Sequence, residues 1–362
     1  MSVLLFLAVL FVLVLVHEWG HFIVAKKTGM RVDEFGIGFP PKLFGRKWGE
    51  TEYTLNALPL GGFVKIYGEN GDEEIESTED SRSFSSRPKW AQALVLIAGV
   101  TMNVLFAWFL FSLTYMIGVP TAVDEATASE AAVLYLAGSL PNSPVAEAIP
   151  VGSQIVSIAN SERVLATPTP SSFSEFVSAT APNAVEITYI FNDVTETVSI
   201  TPATGLVADE PDRAVIGASL SLVETKERGF ITAIGDGFVA TMAGLGSIAI
   251  GLVTLISQAI TGSADFSNIA GPVGIVGLVG DAAAFGVIAL LTFTAVISLN
   301  LAVINMLPFP ALDGGRLVFV FIEAITGKQI PAEWSGRINL VGFALLMLLM
   351  VAVTYNDILR LL

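Results

Sequence analysis

His17, Glu18 and His21 fall within five positions of one another in FVLVLVHEWGHFIVAKK, residues 11–27. The run around them is apolar enough for lipid, where an ionisable side chain is expensive and marks function. The order His-Glu-x-x-His has a direct chemical reading. On a helix, positions i and i+4 share a face, so two imidazoles can grip one metal ion while Glu18 stands beside it as general base. Zinc held by two imidazoles and a carboxylate keeps a position open for water, lowers the pKa of that water towards neutrality and polarises a peptide carbonyl. The competing reading is two histidines hydrogen-bonded within a helix bundle. His17 and His21 are the only histidines in the chain, and their spacing around a glutamate favours the metal.

Two histidines do not complete such a site. There is no cysteine, so a third ligand is a carboxylate or comes from outside the chain. The candidate is Asp313 in NMLPFPALDGGR, residues 305–316. Two prolines ahead of it break an apolar helix and two glycines follow, and such a break lets backbone groups face a cavity rather than lipid. An ordinary interhelical turn with a solvated aspartate would have the same pattern.

The elements that must position these residues are membrane helices. Of 362 residues, 53% are hydrophobic and 14% charged, and the mean hydropathy is +0.71, values of an integral membrane protein. A net charge of −15 excludes a nucleic-acid partner, which needs a basic face. The start, MSVLLFLAVL, has no basic n-region and no small-residue cleavage site follows it, so it reads as a retained helix. Leu4 to Ala25, Trp90 to Ile117, Phe285 to Leu307 and 334–355 are each long enough to span. Between the first two, RVDEFGIGF, KLFGRKW, TEYTLNALPL and GGFVKIYG alternate and are bounded by Gly and Pro, which predicts a β-hairpin over 31–67. The acidic run at 68–80 reads as a solvated loop. Residues 120–225 change character: VLYL, SQIVSIAN, AVEITYIF and ETVSITPA read as strands and Phe173 to Ala179 as a helix, an inserted α+β domain.

Basic residues set the topology. Ten of the 18 Lys and Arg lie between Lys26 and Lys89, and only Arg163 and Arg213 within 120–225. The positive-inside rule places the first loop in the cytoplasm and the inserted domain outside. Helix one then runs inward, with the histidines near its cytoplasmic end.

HEWGH together with NMLPFPALDGG resembles the site-2 protease family of intramembrane zinc metalloproteases, whose patterns are H-E-x-x-H and N-x-x-P-x-P-x-L-D-G-G. GETEYTLNALPLGGFVKI and GPVGI (271–275) resemble its bacterial RseP-like branch, the regulator of sigma-E proteases. The resemblance covers most of the chain. It implies that His17, His21 and Asp313 bind Zn2+, that Glu18 is the base, and that Asn305 helps hold the substrate backbone or the developing oxyanion. It also implies transmembrane protein substrates, such as anti-sigma factors or signal-peptide remnants, and a multi-pass place in a bacterial inner membrane. NSPVAEAIPVGSQIVSI resembles a PDZ domain, with possible peptide or client binding, although its usual P-G-D reads Val151, Gly152, Ser153. In Ala98 to Asn103, AGVTMN, the proline usual after the glycine is absent; the change is expected to touch no proposed ligand.

The expected architecture is a polytopic α-helical membrane protein of about four spans, with a membrane-associated hairpin and an inserted PDZ-like domain. Its parts are an N-terminal membrane part over 1–118, the inserted domain over 120–225, a membrane-associated or re-entrant segment over 226–284 and a C-terminal membrane part over 285–362. Residues 230–260 are apolar enough for a fifth span, but a single extra crossing there would carry Asp313 to the face opposite the histidines. The segment is therefore expected to lie along the membrane, or to go in and return with 269–284. A non-catalytic PDZ-like scaffold or a metal transporter is the alternative; a scaffold has no need of Glu18, and no repeated halves typical of transporters are present.

Overall fold

The computed structural model describes residues 2–69, 81–141, 143–191, 194–206, 210, 213–263 and 270–361. Apart from Gly68 and Glu69, the acidic run at 68–80 lies outside the described residues. The chain divides into two compact units, Met1–Thr114 with Gly229–Leu362, and Tyr115–Arg228.

The first unit opens with α1, Ser2–Lys27. Lipid offers no partner to a backbone amide, so an apolar run of this length closes all its hydrogen bonds as a helix. It ends where Gly29 adopts φ +77 and the Met30 N–H donates back to the Ala25 carbonyl. The expected hairpin follows as β1, Val32–Trp48, and β2, Thr51–Ile66, paired antiparallel. Its turn is tied back to the end of α1, because Glu50 accepts from Lys26 at 2.6 Å and from Arg82 at 2.7 Å. Phe22 of α1 meets Phe35 and Tyr53 edge-on, which seats the hairpin on the helix. Next comes α2, Lys89–Ile117.

The second unit is an antiparallel sheet with one helix. Its strands are β3 (Val119–Val123), β4 (Val133–Ser139), β5 (Gln154–Ala159), β6 (Val164–Ala166), β7 (Val185–Phe191), β8 (Val194–Ile200) and β9 (Ala218–Lys226). They run in the order β3-β9-β4-β5-β7-β8, with β6 beside β5. The four strand-like runs read from the sequence are β4, β5, β7 and β8. The strand that joins β3 to β4 is β9, outside the four runs, although in ASLSLVETK the apolar Ala218, Leu220 and Leu222 alternate with serines and face the core. The helix α3, Pro170–Thr180, starts on a capping box between Thr169 and Ser172 with proline in its first turn, a cap of about 1 kcal/mol. Its Phe173, Phe176 and Val177 close a core with Leu134, Leu136, Ile158 and Ile187. At the departure from P-G-D, Ser153 is buried and its hydroxyl donates to the Pro150 carbonyl at 2.7 Å.

The first unit then resumes with α4 (Phe230–Thr261), α5 (Pro272–Ala284), α6 (Val287–Asn305), α7 (Asp313–Thr326) and α8 (Ala332–Leu361). Among the described residues five helices, α1, α2, α4, α6 and α8, are long and apolar enough to cross a membrane. That is one more than the four expected spans, since length and composition do not set α4 apart. The helix α7 was not foreseen: its two glycines read as a turn.

Close approach between these helices rests on small residues, because apolar surface gains little by leaving lipid for protein. A Cβ on Gly20 would stand 2.4 Å from the Ala98 carbonyl oxygen, and one on Gly237 of α4 would stand 2.4 Å from Ser112 Oγ. The contacts also fix directions. His21 meets Val95 and His17 meets Asn103, so α1 and α2 are antiparallel. Ser298 donates to the Asn103 carbonyl, and Met306 shares a groove with Lys89 and Trp90, so α6 is antiparallel to α2 as well. Hence α1 and α6 run the same way.

Candidate metal centre

The helical repeat puts His17 and His21 on one face of α1, and both are buried. Their Nε2 atoms are 3.1 Å apart. Asp313 Oδ2 lies 3.1 Å from the first and 3.3 Å from the second. Zinc at about 2.0–2.1 Å from tetrahedral ligands would space them about 3.3 Å apart. Among the described residues, buried Asp313 Oδ2 has no polar partner other than the two imidazole nitrogens, so the three ligand atoms face one point that a cation would fill. The three groups fit zinc, and among the described residues they form a cluster able to hold a metal ion.

Asp313 arrives there by a tight turn. Ala311 adopts φ +74, Leu312 caps the helix and Asp313 opens α7. The two glycines after it are required by contact rather than by φ. A Cβ on Gly314 would stand 2.3 Å from the Leu307 and Met306 carbonyl oxygens, and one on Gly315 would stand 2.2 Å from that of Phe309. Two ion pairs then hold α7 in place, Arg316 with Glu69 at 2.5 Å and Lys89 with Glu323 at 2.6 Å.

The wall opposite is α2. Gly99 passes so close that a Cβ would stand 2.4 Å from His21 Nε2 and 2.7 Å from His17 Cε1. His21 Nδ1 lies 2.8 Å from the Val95 carbonyl oxygen. Asn103, fully buried, places its amide 3.3 Å from His17 Nδ1. The absent proline falls at Val100, while the same segment, AGVTMN, lines the site through its neighbours Gly99 and Asn103. The signal for them was present: a glycine and an asparagine four apart on one face of an apolar helix.

Glu18, half-buried, follows His17 directly, and the backbone of β2 flanks it. A Cβ on Gly62 would stand 3.9 Å from Glu18 Cγ. Asn305 is the last residue of α6 and half-buried. Its side chain makes no hydrogen bond among the described residues, so it is not drawn into the histidine–aspartate cluster.

Residues 5–349 match the family described as Peptidase family M50. A Clostridium perfringens chain carrying a provisional zinc-metalloprotease name is 38% identical over 348 residues, 96% of this chain and 95% of that one. The regulator of sigma-W protease RasP of Bacillus subtilis is 30% identical over 441 residues, 99% of both chains. The zinc metalloprotease RasP of Bacillus licheniformis matches equally, at 30% over 99% of each. Among solved structures, the PDZ domain of the SdrC-like protein of Listeria monocytogenes overlaps 26% of this chain and 92% of its own, at 19% identity and a TM-score of 0.22.

Proposed function

Because this chain belongs to Peptidase family M50, and is an intramembrane zinc metalloprotease, we propose that His17, His21 and Asp313 are its zinc ligands and Glu18 its general base. The observation that carries this assignment is the convergence of His17 Nε2, His21 Nε2 and Asp313 Oδ2 at 3.1–3.3 Å. Zinc, when bound, polarises the scissile carbonyl and makes a hydroxide available near neutral pH. A carboxylate of Glu18 takes the proton of the attacking water and passes it to the leaving nitrogen. Asn305, at the end of the helix that leads to Asp313, is assigned to the substrate backbone on its place in the motif.

A helical substrate hides its peptide bonds in hydrogen bonds and must be drawn out before hydrolysis. Residues 34–37 of β1 pair on one side with 62–65 and on the other with 52–55, and 51–55 pair in turn with 44–48. Among the described residues the stretch of β2 beside Glu18, from Gly62 onward, therefore pairs on one side only and keeps a free edge. An extended substrate can add to that edge. The substrates in this reading are single-span membrane proteins, among them anti-sigma factors and signal-peptide remnants, with peptide binding by the second unit a separate, accessory role.

The membrane orientation follows from helix directions and charge. The basic residues between Lys26 and Lys89 put the hairpin on the cytoplasmic side of a bacterial inner membrane and residues 120–225 outside. Since α1 and α6 run the same way, the chain between α2 and α6 makes no net crossing. Contacts of α5 support this. A Cβ on Gly280 would meet Ser2 Oγ at 2.5 Å, and the Gly271 N–H donates to Asp357 of α8. Ser2 lies 15 residues from His17, and Asp357 lies 15 residues from Gly342, where a Cβ would stand 2.4 Å from Pro310 Cβ beside the Asp313 turn, in each case about 22 Å along a helix. On this reading both ends of α5 are on the outer side, and α4 with the segment that follows it makes no net crossing.

Cleavage of a tagged single-span substrate by purified chain, native against Glu18→Gln, with bound zinc measured in both, tests the assignment. Zinc retained with cleavage lost supports it. Zinc bound without cleavage of several substrates by the native chain would favour a scaffold or transporter.

A further inference from the structure

The two imidazoles are held differently from behind. His21 Nδ1 faces the Val95 carbonyl oxygen at 2.8 Å. A carbonyl only accepts, so Nδ1 carries the hydrogen and Nε2 turns its lone pair to the centre. Among the described residues no carbonyl takes that place behind His17. The group facing its Nδ1 is the Asn103 side chain, with Nδ2 at 3.3 Å, while Asn103 Oδ1 is buried and partnerless.

That orientation conflicts with the front of the ring. An amine donating to Nδ1 would force the hydrogen onto His17 Nε2, the atom 3.1 Å from His21 Nε2 and from Asp313 Oδ2. A hydrogen there blocks a metal bond. The amide oxygen and nitrogen are alike in shape, and their partner decides which way the group faces. Turning the amide exchanges one partnerless polar atom for another, so the amide by itself has no preference. His17 supplies it.

We infer that Asn103 presents Oδ1 to His17, accepts the Nδ1–H and thereby fixes His17 as an Nε2 ligand. Asn103 is a positioning residue for the metal centre, the counterpart on His17 of the Val95 carbonyl on His21. The backbone that holds it is pinned: the Ser298 hydroxyl donates to the Asn103 carbonyl at 2.8 Å, and both residues are fully buried. The helix α6, which leads to Asp313, is thus bonded to the residue that orients His17. The inference rests on the assignment of His17 as a zinc ligand, and it predicts which substitutions at position 103 the metal will notice.

The test uses the full chain in detergent as the native sequence, Asn103→Asp and Asn103→Leu, with fold monitored by circular dichroism. Zinc affinity is read by competition with a chelator, and ligand geometry by the visible absorption of the cobalt-substituted protein. A partner behind a ligating imidazole is worth about 10–100-fold in metal affinity. Asn103→Leu, of similar size and unable to accept, is expected to lose that much and to shift the cobalt bands. Asn103→Asp, which can only accept when ionised, is expected to keep native affinity and native bands. A folded Asn103→Asp that loses tenfold in affinity, or an Asn103→Leu indistinguishable from native, overturns the inference while the native chain still binds zinc. A native chain that takes up no zinc overturns the metal centre and the inference together, a result read from the native sample alone.

Discussion

Gly99 of α2 and His21 of α1 are in contact at the point where a side chain is forbidden: a Cβ on the glycine would stand 2.4 Å from the imidazole Nε2. Elsewhere in a helix, replacing glycine with alanine gains roughly 0.5–1 kcal/mol from backbone entropy. Here the clash reverses the sign. Gly99→Ala is expected to lower zinc affinity and cleavage by about tenfold or more, on the order of the 1.4 kcal/mol that a misplaced ligand costs. Gly336→Ala, where nothing lies within 4 Å, is the control and should leave both unchanged. Chelator competition on the two variants side by side gives the answer, and equal affinities would remove the steric argument.

Glu18→Gln keeps the shape of the side chain and removes its capacity to take a proton. Positioned acid–base catalysis contributes about 10²–10⁴-fold. Cleavage should fall by that factor with one zinc still bound per chain. Loss of the zinc instead would make Glu18 a ligand.

Asp313→Asn tests the third ligand. The neutral amide is a poorer partner for a cation shared with His17 and His21, so zinc should leave at a far lower chelator concentration than from native chain. Unchanged zinc content after dialysis would mean that the third ligand lies elsewhere.

Glu50 gives a pH signature remote from the site. Hydrogen bonds from Arg82 and then Lys26 lower its pKa from the ordinary 4.5 to about 2. A depressed folded value means the tie between hairpin turn and α1 is complete above about pH 4.5 and is lost as pH falls towards 2. Protease cutting within the hairpin should therefore rise over that window in native chain. Glu50→Gln, which cannot ionise, should be cut more readily than native near neutral pH and show no such rise. Identical profiles for the two would contradict the tether.

The topology is testable on a background without native cysteine. Cysteines placed at Ser263 and Phe285 should react with an impermeant thiol reagent added outside intact cells, and those at Lys47 and Gln329 only after permeabilisation. Labelling of Ser263 from inside alone would make α4 a true crossing, and labelling of Phe285 from inside alone would undo the placement of α5.

What was legible in the sequence was whatever depends on short spacing. HEWGH declares a metal site because i and i+4 share a helix face whatever surrounds them, and apolar runs of twenty or more residues declare spans because lipid leaves the backbone no alternative. The alternation of 31–67 showed a hairpin for the same local reason. Tertiary structure decided what depends on distant partners. Asp313, 292 positions beyond His21, is brought to it by a turn that only Gly314 and Gly315 can make. Gly99 and Asn103 matter because α2 happens to pass behind the histidines, and α7 was hidden because its opening glycines signal a break to any reader who cannot see the carbonyls of Met306, Leu307 and Phe309 pressed against them. Spacing fixes which side chains can share a face; packing alone decides which faces meet.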